Sequence, residues 1–378
     1  MLKSLRLHNF KSAKDLPVRT EALTVLAGLN GSGKSTVLQA IALIKQSLGV
    51  HDSKLRLHLR GSLVQMGRCE DVFCENSDDD ELAFEVITAN GSIRFACLRQ
   101  VGVDTLPLKT TGELSLEQLG HNLAHFQYVQ ADRLVPATQY EYANTPDQEA
   151  GWLGCRGEFT VDFLAKHATD KVSGVRAFPH DALGVSEALY KQVSPTEGLI
   201  DQTAGWLQQL SPGVLVRTVE LESADAVSLR FEYTGIKLDS GGKSRRPSNV
   251  GFGLTYSLPI VVACLAAPKG ALLLLENPEA HLHPQGQAAL GELLARCAAD
   301  GVQIIVETHS DHVLNGIRLA VKRKIIAADN VALQYFTRDV ESGESSVQSP
   351  KILPDGQLMD WPVGFFDQWD RSLDALLA

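Results

Sequence analysis

Apolar positions in this chain fall mainly into short unbroken runs, the pattern of buried strands rather than of long amphipathic helices. Residues 23–27 (Leu-Thr-Val-Leu-Ala) and 301–306 (Gly-Val-Gln-Ile-Ile-Val) read as such strands. Residues 271–275 (Ala-Leu-Leu-Leu-Leu) suit a parallel strand covered on both faces. Residues 2–7 predict a further strand, and 128–131 a strand ending at Asp132 and Arg133. Residues 82–86 and 93–98 flank Ala89-Asn90-Gly91-Ser92 and predict a hairpin, since Asn-Gly supports a tight turn. Helical spacing places Val37, Ile41 and Ile44 on one face just after residue 35. From about 141 to 210 the pattern turns helical and irregular, with Trp152 and Trp206 among several Gly and Pro breaks, which predicts a lid or arm. Alternation returns over 214–233, before a basic loop at 241–246. A last helix from Asp367 sets Trp369, Leu373 and Leu376 on one stripe with Phe366, expected to dock on the core. No sustained heptads and no internal repeat occur, so a long coiled coil is excluded.

The run 28–35, Gly-Leu-Asn-Gly-Ser-Gly-Lys-Ser, lies between the strand at 23–27 and the first helix. It fits the P-loop pattern G-x-x-x-x-G-K-[ST] in the context that pattern requires. Glycines let successive N–H groups turn inward around phosphate oxygens, and the helix N-terminus adds positive potential. Asn30, Gly31, Ser32, Gly33, Lys34, Ser35 and Thr36 are therefore the predicted nucleotide-binding residues. Lys34 reaches the β- and γ-phosphates, and the Ser35 hydroxyl joins the Mg²⁺ shell. The strand at 271–275 runs into Glu276, the acid that Mg²⁺ in such a site needs, so Glu276 is the predicted Walker B residue. The strand at 301–306 leads into Glu307-Thr308-His309-Ser310-Asp311-His312. An imidazole at that strand end can donate to a γ-phosphate oxygen and sense it.

Composition sets ordinary limits. At 378 residues with a net charge of −10 the chain suits one large or two moderate domains and has no uniformly basic coat for nucleic acid. No run of 18 apolar residues occurs, and the N-terminal residues lack the apolar core of a secretory leader. Six cysteines with no CxxC spacing read as reduced thiols of a cytoplasmic protein.

Asn9-Phe10-Lys11-Ser12, the loop at 28–35, Glu276-Asn-Pro-Glu-Ala-His-Leu-His-Pro284 and Glu307-Thr-His-Ser-Asp-His312 together resemble the ABC-type ATPase heads of the RecF, SMC and OLD-like group. The resemblance is nearest to stand-alone ATPases of bacterial defence loci. It extends to Ala131-Asp132-Arg133-Leu-Val-Pro136 and to Trp361-Pro362-Val-Gly364-Phe365-Phe366. It implies an α/β P-loop fold with a mostly parallel sheet, an antiparallel β lobe and an inserted helical lid. The expected parts are residues 1–140, a lid or arm over 141–240, and 241–378.

The resemblance also implies that two heads sandwich two ATP molecules, each offering a signature loop to its partner's γ-phosphate. The matching stretch contains Ser248, Asn249, Gly251 and Gly253, although its wording departs from the usual Leu-Ser-Gly-Gly-Gln. Gln65 is the candidate glutamine for a Q-loop. In many ABC ATPases a glutamate follows the Walker B acid and polarises the attacking water. Here that position is Asn277, which orients water but accepts no proton at neutral pH, so Glu279 is the alternative base.

A rival grouping of His281, His283, His309 and His312 with Glu279 and Asp311 as a metal cluster has feasible spacings, but the order of the motifs favours the ABC assignment. The cofactors implied are ATP and Mg²⁺, and the partners a second copy of the chain and a separate effector protein. Only about 70 residues follow His309, which places any nuclease in another chain. Clusters at Lys54, Arg56 and Arg60, at Lys243, Arg245 and Arg246, and at Arg318, Lys322, Arg323 and Lys324 suit either DNA phosphates or an ordinary solvated face.

Overall fold

The computed structural model describes residues 1–50, 54–144, 151–182, 184–234, 244–362, 364–366 and 368–377; Lys243 and Asp367 of the sequence reading lie outside them. The chain divides into two compact units, 1–124 with 303–309 and 327–378, and 125–302 with 310–326. These bounds do not coincide with the parts expected at 140 and 240.

The first unit begins with β1 (Leu2–Phe10), β2 (Ala13–Arg19), β3 (Leu23–Gly28), α1 (Lys34–Leu48), β4 (Glu81–Thr88) and β5 (Gly91–Leu98). The second holds β6 (Phe126–Val129), α2 (Thr160–Lys166), α3 (Leu199–Leu207), β7 (Val214–Leu221), β8 (Ala226–Tyr233), α4 (Phe252–Ala266), β9 (Leu272–Glu276) and α5 (Pro284–Ala299). The chain returns to the first unit for β10 (Gln303–Glu307), to the second for α6 (Asp311–Lys322), and ends in the first with β11 (Val331–Arg338), β12 (Ser345–Gln348) and α7 (Gln368–Leu377).

In the first unit β10, β3 and β11 run parallel, and β12 adds antiparallel to β11. The continuous apolar run of β3 has a parallel neighbour on each side, and Leu23, Val25 and Leu26 are fully buried. The Gln303 side chain ties β10 to the first strand, accepting from Leu2 N at 2.8 Å and donating to Leu2 O at 2.7 Å. A separate antiparallel sheet includes the order β2-β1-β4-β5, with the expected hairpin turning at Ala89-Asn90, where Thr88 pairs with Gly91.

In the second unit β9 pairs parallel with β6, and β7 and β8 form an antiparallel pair. Helix α4 is apolar all round, as its buried place among the second unit's elements requires. Helices α5 and α6 meet backbone to backbone. A Cβ on Gly291 would overlap Val313 O, and one on Gly316 would overlap Ala288 O.

The C-terminal helix departs from expectation. It forms over Gln368–Leu377, but Leu373 is 43% exposed and Leu376 82% exposed. Periodicity identifies an amphipathic helix without saying what its apolar stripe meets, and Leu373 and Leu376 of this stripe face outward. All six cysteines are buried thiols, and burial pushes Cys97 and Cys155 up to about 12. Among the described residues no helix is long and apolar enough to cross a membrane.

Candidate nucleotide site

The phosphate-loop residues lie at the carboxyl end of β3. Three left-handed glycines shape the turn, Gly28 (φ 145°), Gly31 (φ 74°) and Gly33 (φ 105°). A side chain at Gly28 would overlap the Phe336 carbonyl of β11, and one at Gly33 would come within 2.5 Å of Ser345 Oγ. Helix α1 starts with no side-chain cap and no acid in its first turn, so no side chain of its own neutralises the positive potential there. Lys34 is 3% exposed; its ammonium donates to Gly28 O at 3.1 Å and Leu29 O at 2.9 Å, and lies 3.7 Å from Glu307 Oε1. Ser32 Oγ is buried without a hydrogen-bond partner.

In the parallel register Glu307 lies opposite Leu26, and His309, two residues beyond the end of β10, is exposed. Asn30 and Gly31 are exposed, Ser35 is half-buried and Thr36 is buried. The turn joining β1 to β2 abuts the loop: Ser345 Oγ donates to Ser12 Oγ at 2.7 Å, and Lys11 reaches Gln39 Oε1 of α1 at 2.8 Å. These contacts were not read from the sequence, since Ser345 is remote and β12 carries no motif. Left-handed glycines, a helix start with no side-chain cap, a buried ammonium and an unpartnered hydroxyl fit a triphosphate, and the Ser35 hydroxyl is the hard oxygen donor that Mg²⁺ takes.

The second unit carries the acid turn. Glu276 ends β9, and its carboxylate accepts from the Tyr128 hydroxyl and from Ala131 N at 2.9 Å. Asn277 sits at φ 42° with its Oδ1 buried and unpartnered. Arg133, fully buried, donates to Glu276 O, to Asn277 O at 2.8 Å and to Tyr256 O at 3.2 Å, and its guanidinium lies 4.2 Å from the Tyr256 ring centre. Burial pulls its pKa down to about 10, partly offset by Tyr256, Glu279 and Glu276, so it stays charged at neutral pH.

Glu279 is half-buried, and His281 (φ 64°) rests edge-on against Phe252 and Tyr256. Ser248, Asn249 and Gly251 are exposed at the start of α4, and Gly251 caps that helix without a side-chain bond. Gly253 is half-buried beneath His281 O, where a Cβ would approach to 2.6 Å.

Gln65 belongs to the first unit. It is exposed, and its amide donates to Gly61 O at 2.5 Å within its own loop. The glutamine beside the acid is Gln130, since Leu275 pairs with Val129 in the β9–β6 register and the next residues are Glu276 and Gln130. Its signal in the sequence was the strand-like run Phe126-Gln-Tyr-Val followed directly by Gln130 and Ala-Asp-Arg.

Comparison with known proteins agrees with this geometry. Residues 1–94 match an AAA ATPase domain, and residues 184–315 match an AAA domain described as a putative AbiEii toxin of a type IV toxin–antitoxin system. Residues 326–376 match a family of unknown function. An OLD nuclease of Thermus scotoductus (strain ATCC 700910 / SA-01) is 24% identical over 92% of this chain and 67% of its own length. Among solved structures, an SMC head bound to the C-winged helix domain of ScpA superposes with a TM-score of 0.50 at 15% identity, covering 93% of this chain and 98% of that one. The fold is therefore that of an α/β P-loop ATPase head of the ABC type. Within that class its matched domains and its OLD relative make the chain similar to the RecF, SMC and OLD-like group.

Proposed function

We propose that this chain binds Mg-ATP, hydrolyses it slowly, and uses the bound nucleotide to bring two copies of itself together. Its nucleotide state then regulates a separate effector protein or a DNA transaction in defence or genome maintenance. The observation that carries the reading is the loop at 28–34, where a buried ammonium donates to its own loop carbonyls, Gly28 O and Leu29 O, and lies 3.7 Å from the Glu307 carboxylate. Lys34 exchanges those carbonyls for phosphate oxygens, and the amides of 31–35 and the Ser32 hydroxyl turn toward them. Ser35 and Glu276 are the magnesium ligands, with Gln130 rather than Gln65 as the adjacent amide. When bound, the ion neutralises charge building on the β- and γ-phosphates. His309 donates to the terminal phosphate, and Ser248, Asn249, Gly251 and Gly253 of one copy close on the phosphates held by the other.

Asn277 orients the attacking water and Glu279 takes its proton. A second reading, a nucleotide-gated scaffold that does not hydrolyse, is favoured by the asparagine at 277, whose amide takes no proton. The OLD relative makes a nuclease the favoured class of effector.

Steady-state ATP turnover of the wild type, Lys34→Ala and Glu279→Gln, with and without duplex DNA, tests these readings beside light scattering for dimer formation. Lys34→Ala should bind ATP roughly 100-fold more weakly, the loss of a charge-assisted contact. Glu279→Gln should dimerise with ATP while turning over about 100-fold more slowly. Wild-type turnover equal to that of Lys34→Ala, with ATP-driven dimers intact, would leave the scaffold reading. Failure of the wild type to bind ATP would sink both.

A further inference from the structure

We propose that Arg133 is the positioning residue of the acid turn, and that Tyr256 links it to the first turn of α4, so the signature-like loop and the Walker B turn move as one piece. The idea rests on the ATPase reading for its consequence in turnover. The clamp itself belongs to the nucleotide-free protein.

Arg133 is fully buried, yet its donors go to backbone oxygens, namely Glu276 O, Asn277 O, Tyr256 O and, at 3.4 Å, Gln130 O. No ion pair to it occurs among the described residues. A buried guanidinium without a bonded acid is costly for stability alone, so its place here points to geometry. A planar fork of five donors holds several carbonyls in fixed relative positions; a lysine ammonium, a single point on a flexible stem, does not. Two of the oxygens it holds, those of Glu276 and Asn277, open a strained stretch. Asn277 and His281 both adopt left-handed backbone without being glycine, a conformation that persists only where the surroundings impose it.

The Glu276 carboxylate is aimed from the same short segment, by the Tyr128 hydroxyl and Ala131 N. Tyr256, one turn into α4, closes the arrangement. Its hydroxyl donates to Ala131 O, its carbonyl accepts from Arg133, and its ring lies under the guanidinium. Phe252 and Tyr256 flank the His281 ring, and Gly253 admits the His281 carbonyl where a Cβ would collide. A displacement of α4 from its exposed N-terminal loop therefore reaches the main chain of Glu276 and Asn277 through two side chains.

The test uses the full chain with Arg133→Met, Arg133→Lys and Tyr256→Phe, and reads amide hydrogen exchange without nucleotide, ATP affinity in EDTA, and the Mg²⁺ concentration for half-maximal turnover. Arg133→Met should exchange about tenfold faster over 276–282, a local opening that leaves distant strands protected. Its Mg²⁺ requirement should rise roughly tenfold, as for loss of a residue that orients a metal ligand, with ATP affinity in EDTA unchanged. Arg133→Lys should behave like Arg133→Met rather than like wild type. Tyr256→Phe keeps the ring and loses only the hydroxyl, and should loosen 252–256 and 276–282 together. A folded Arg133→Met with native exchange over 276–282 overturns the clamp. If that variant does not fold, native exchange over both segments in Tyr256→Phe overturns it instead. Should the wild type bind no ATP, the ATPase reading fails while the exchange comparison still decides the clamp.

Discussion

The phosphate loop and the acid turn reach fixed backbone geometry by opposite means. The loop is built from what is missing: no Cβ at Gly28, Gly31 or Gly33, no cap at the start of α1, and no acid in its first turn. Its sequence signal is contained within eight residues, although Phe336 and Ser345 crowd Gly28 and Gly33 from far along the chain. The turn is built from what is added. Asn277 and His281 take left-handed backbone with side chains present, and a buried arginine 143 positions before Glu276 holds the carbonyls in place. A loop that must wrap a ligand closely gains from small residues. A turn that must aim one carboxylate gains from an external clamp.

The largest effect that sharpens this contrast comes from the other buried arginine of the second unit. Arg176, like Arg133, donates to backbone carbonyls, those of Cys264 and Ala267, but it also pairs with Asp300 at 2.8 Å. Asp300→Asn should cost about 4 kcal/mol in urea unfolding at pH 7, because a buried cation loses its partner. ATP turnover per folded molecule should not change. Burial alone would raise the Asp300 carboxyl; the hydrogen bonds of Lys269 and Ser173 and the charge of Arg176 outweigh it and hold the group below its ordinary value. A depressed folded-state pKa contributes stability above the unfolded value, near 4, and loses it as pH falls through the lower folded value. The gap between wild type and Asp300→Asn should therefore stay level from pH 8 to about 5 and close below about 4. A gap unchanged at low pH would show that packing, not charge, sets it.

Gly28→Ala attacks the loop's own principle. The new methyl meets the Phe336 carbonyl, which is backbone and cannot swing away, and alanine is strained at φ 145°. The expected loss is about 2 kcal/mol in thermal or chemical unfolding. ATP binding should fall with it, because β11 and the loop cannot both keep their places. Native stability and affinity in this variant would mean that the loop tolerates a Cβ, and the contrast with the acid turn would collapse.

The same division explains what was legible beforehand. The loop, the strand ending at Glu276 and the strand leading to His309 each announce themselves in fewer than a dozen contiguous residues, because glycine placement and unbroken apolar runs are local signals. The place of Gln130 beside Glu276 is not legible locally, because it depends on the pairing of β6 with β9, about 145 residues apart in the chain. Arg133 stood within a motif, but nothing near it in sequence shows that its donors serve Glu276 and Asn277. The two-unit division was hidden for a related reason. β10 and β11 return to pair with β3 after nearly 180 residues of the second unit, and parallel pairing leaves no local mark.

The smallest expected effect concerns a place where periodicity said less than it suggested. Leu373 and Leu376 share a stripe on α7 and were expected to dock, yet both are exposed, as is Leu377 at 78%. An exposed leucine already faces water in the folded state, so replacing it removes little buried apolar area. Leu376→Ser should therefore change unfolding free energy by less than about 0.5 kcal/mol, the range of a surface substitution away from any packed feature. The measurement is a urea titration of the purified variant at two protein concentrations. A loss well above that value at both concentrations would place α7 against the core in solution. A loss that appears only at the higher concentration would mean that the stripe is covered by another copy, since only an association makes unfolding depend on concentration.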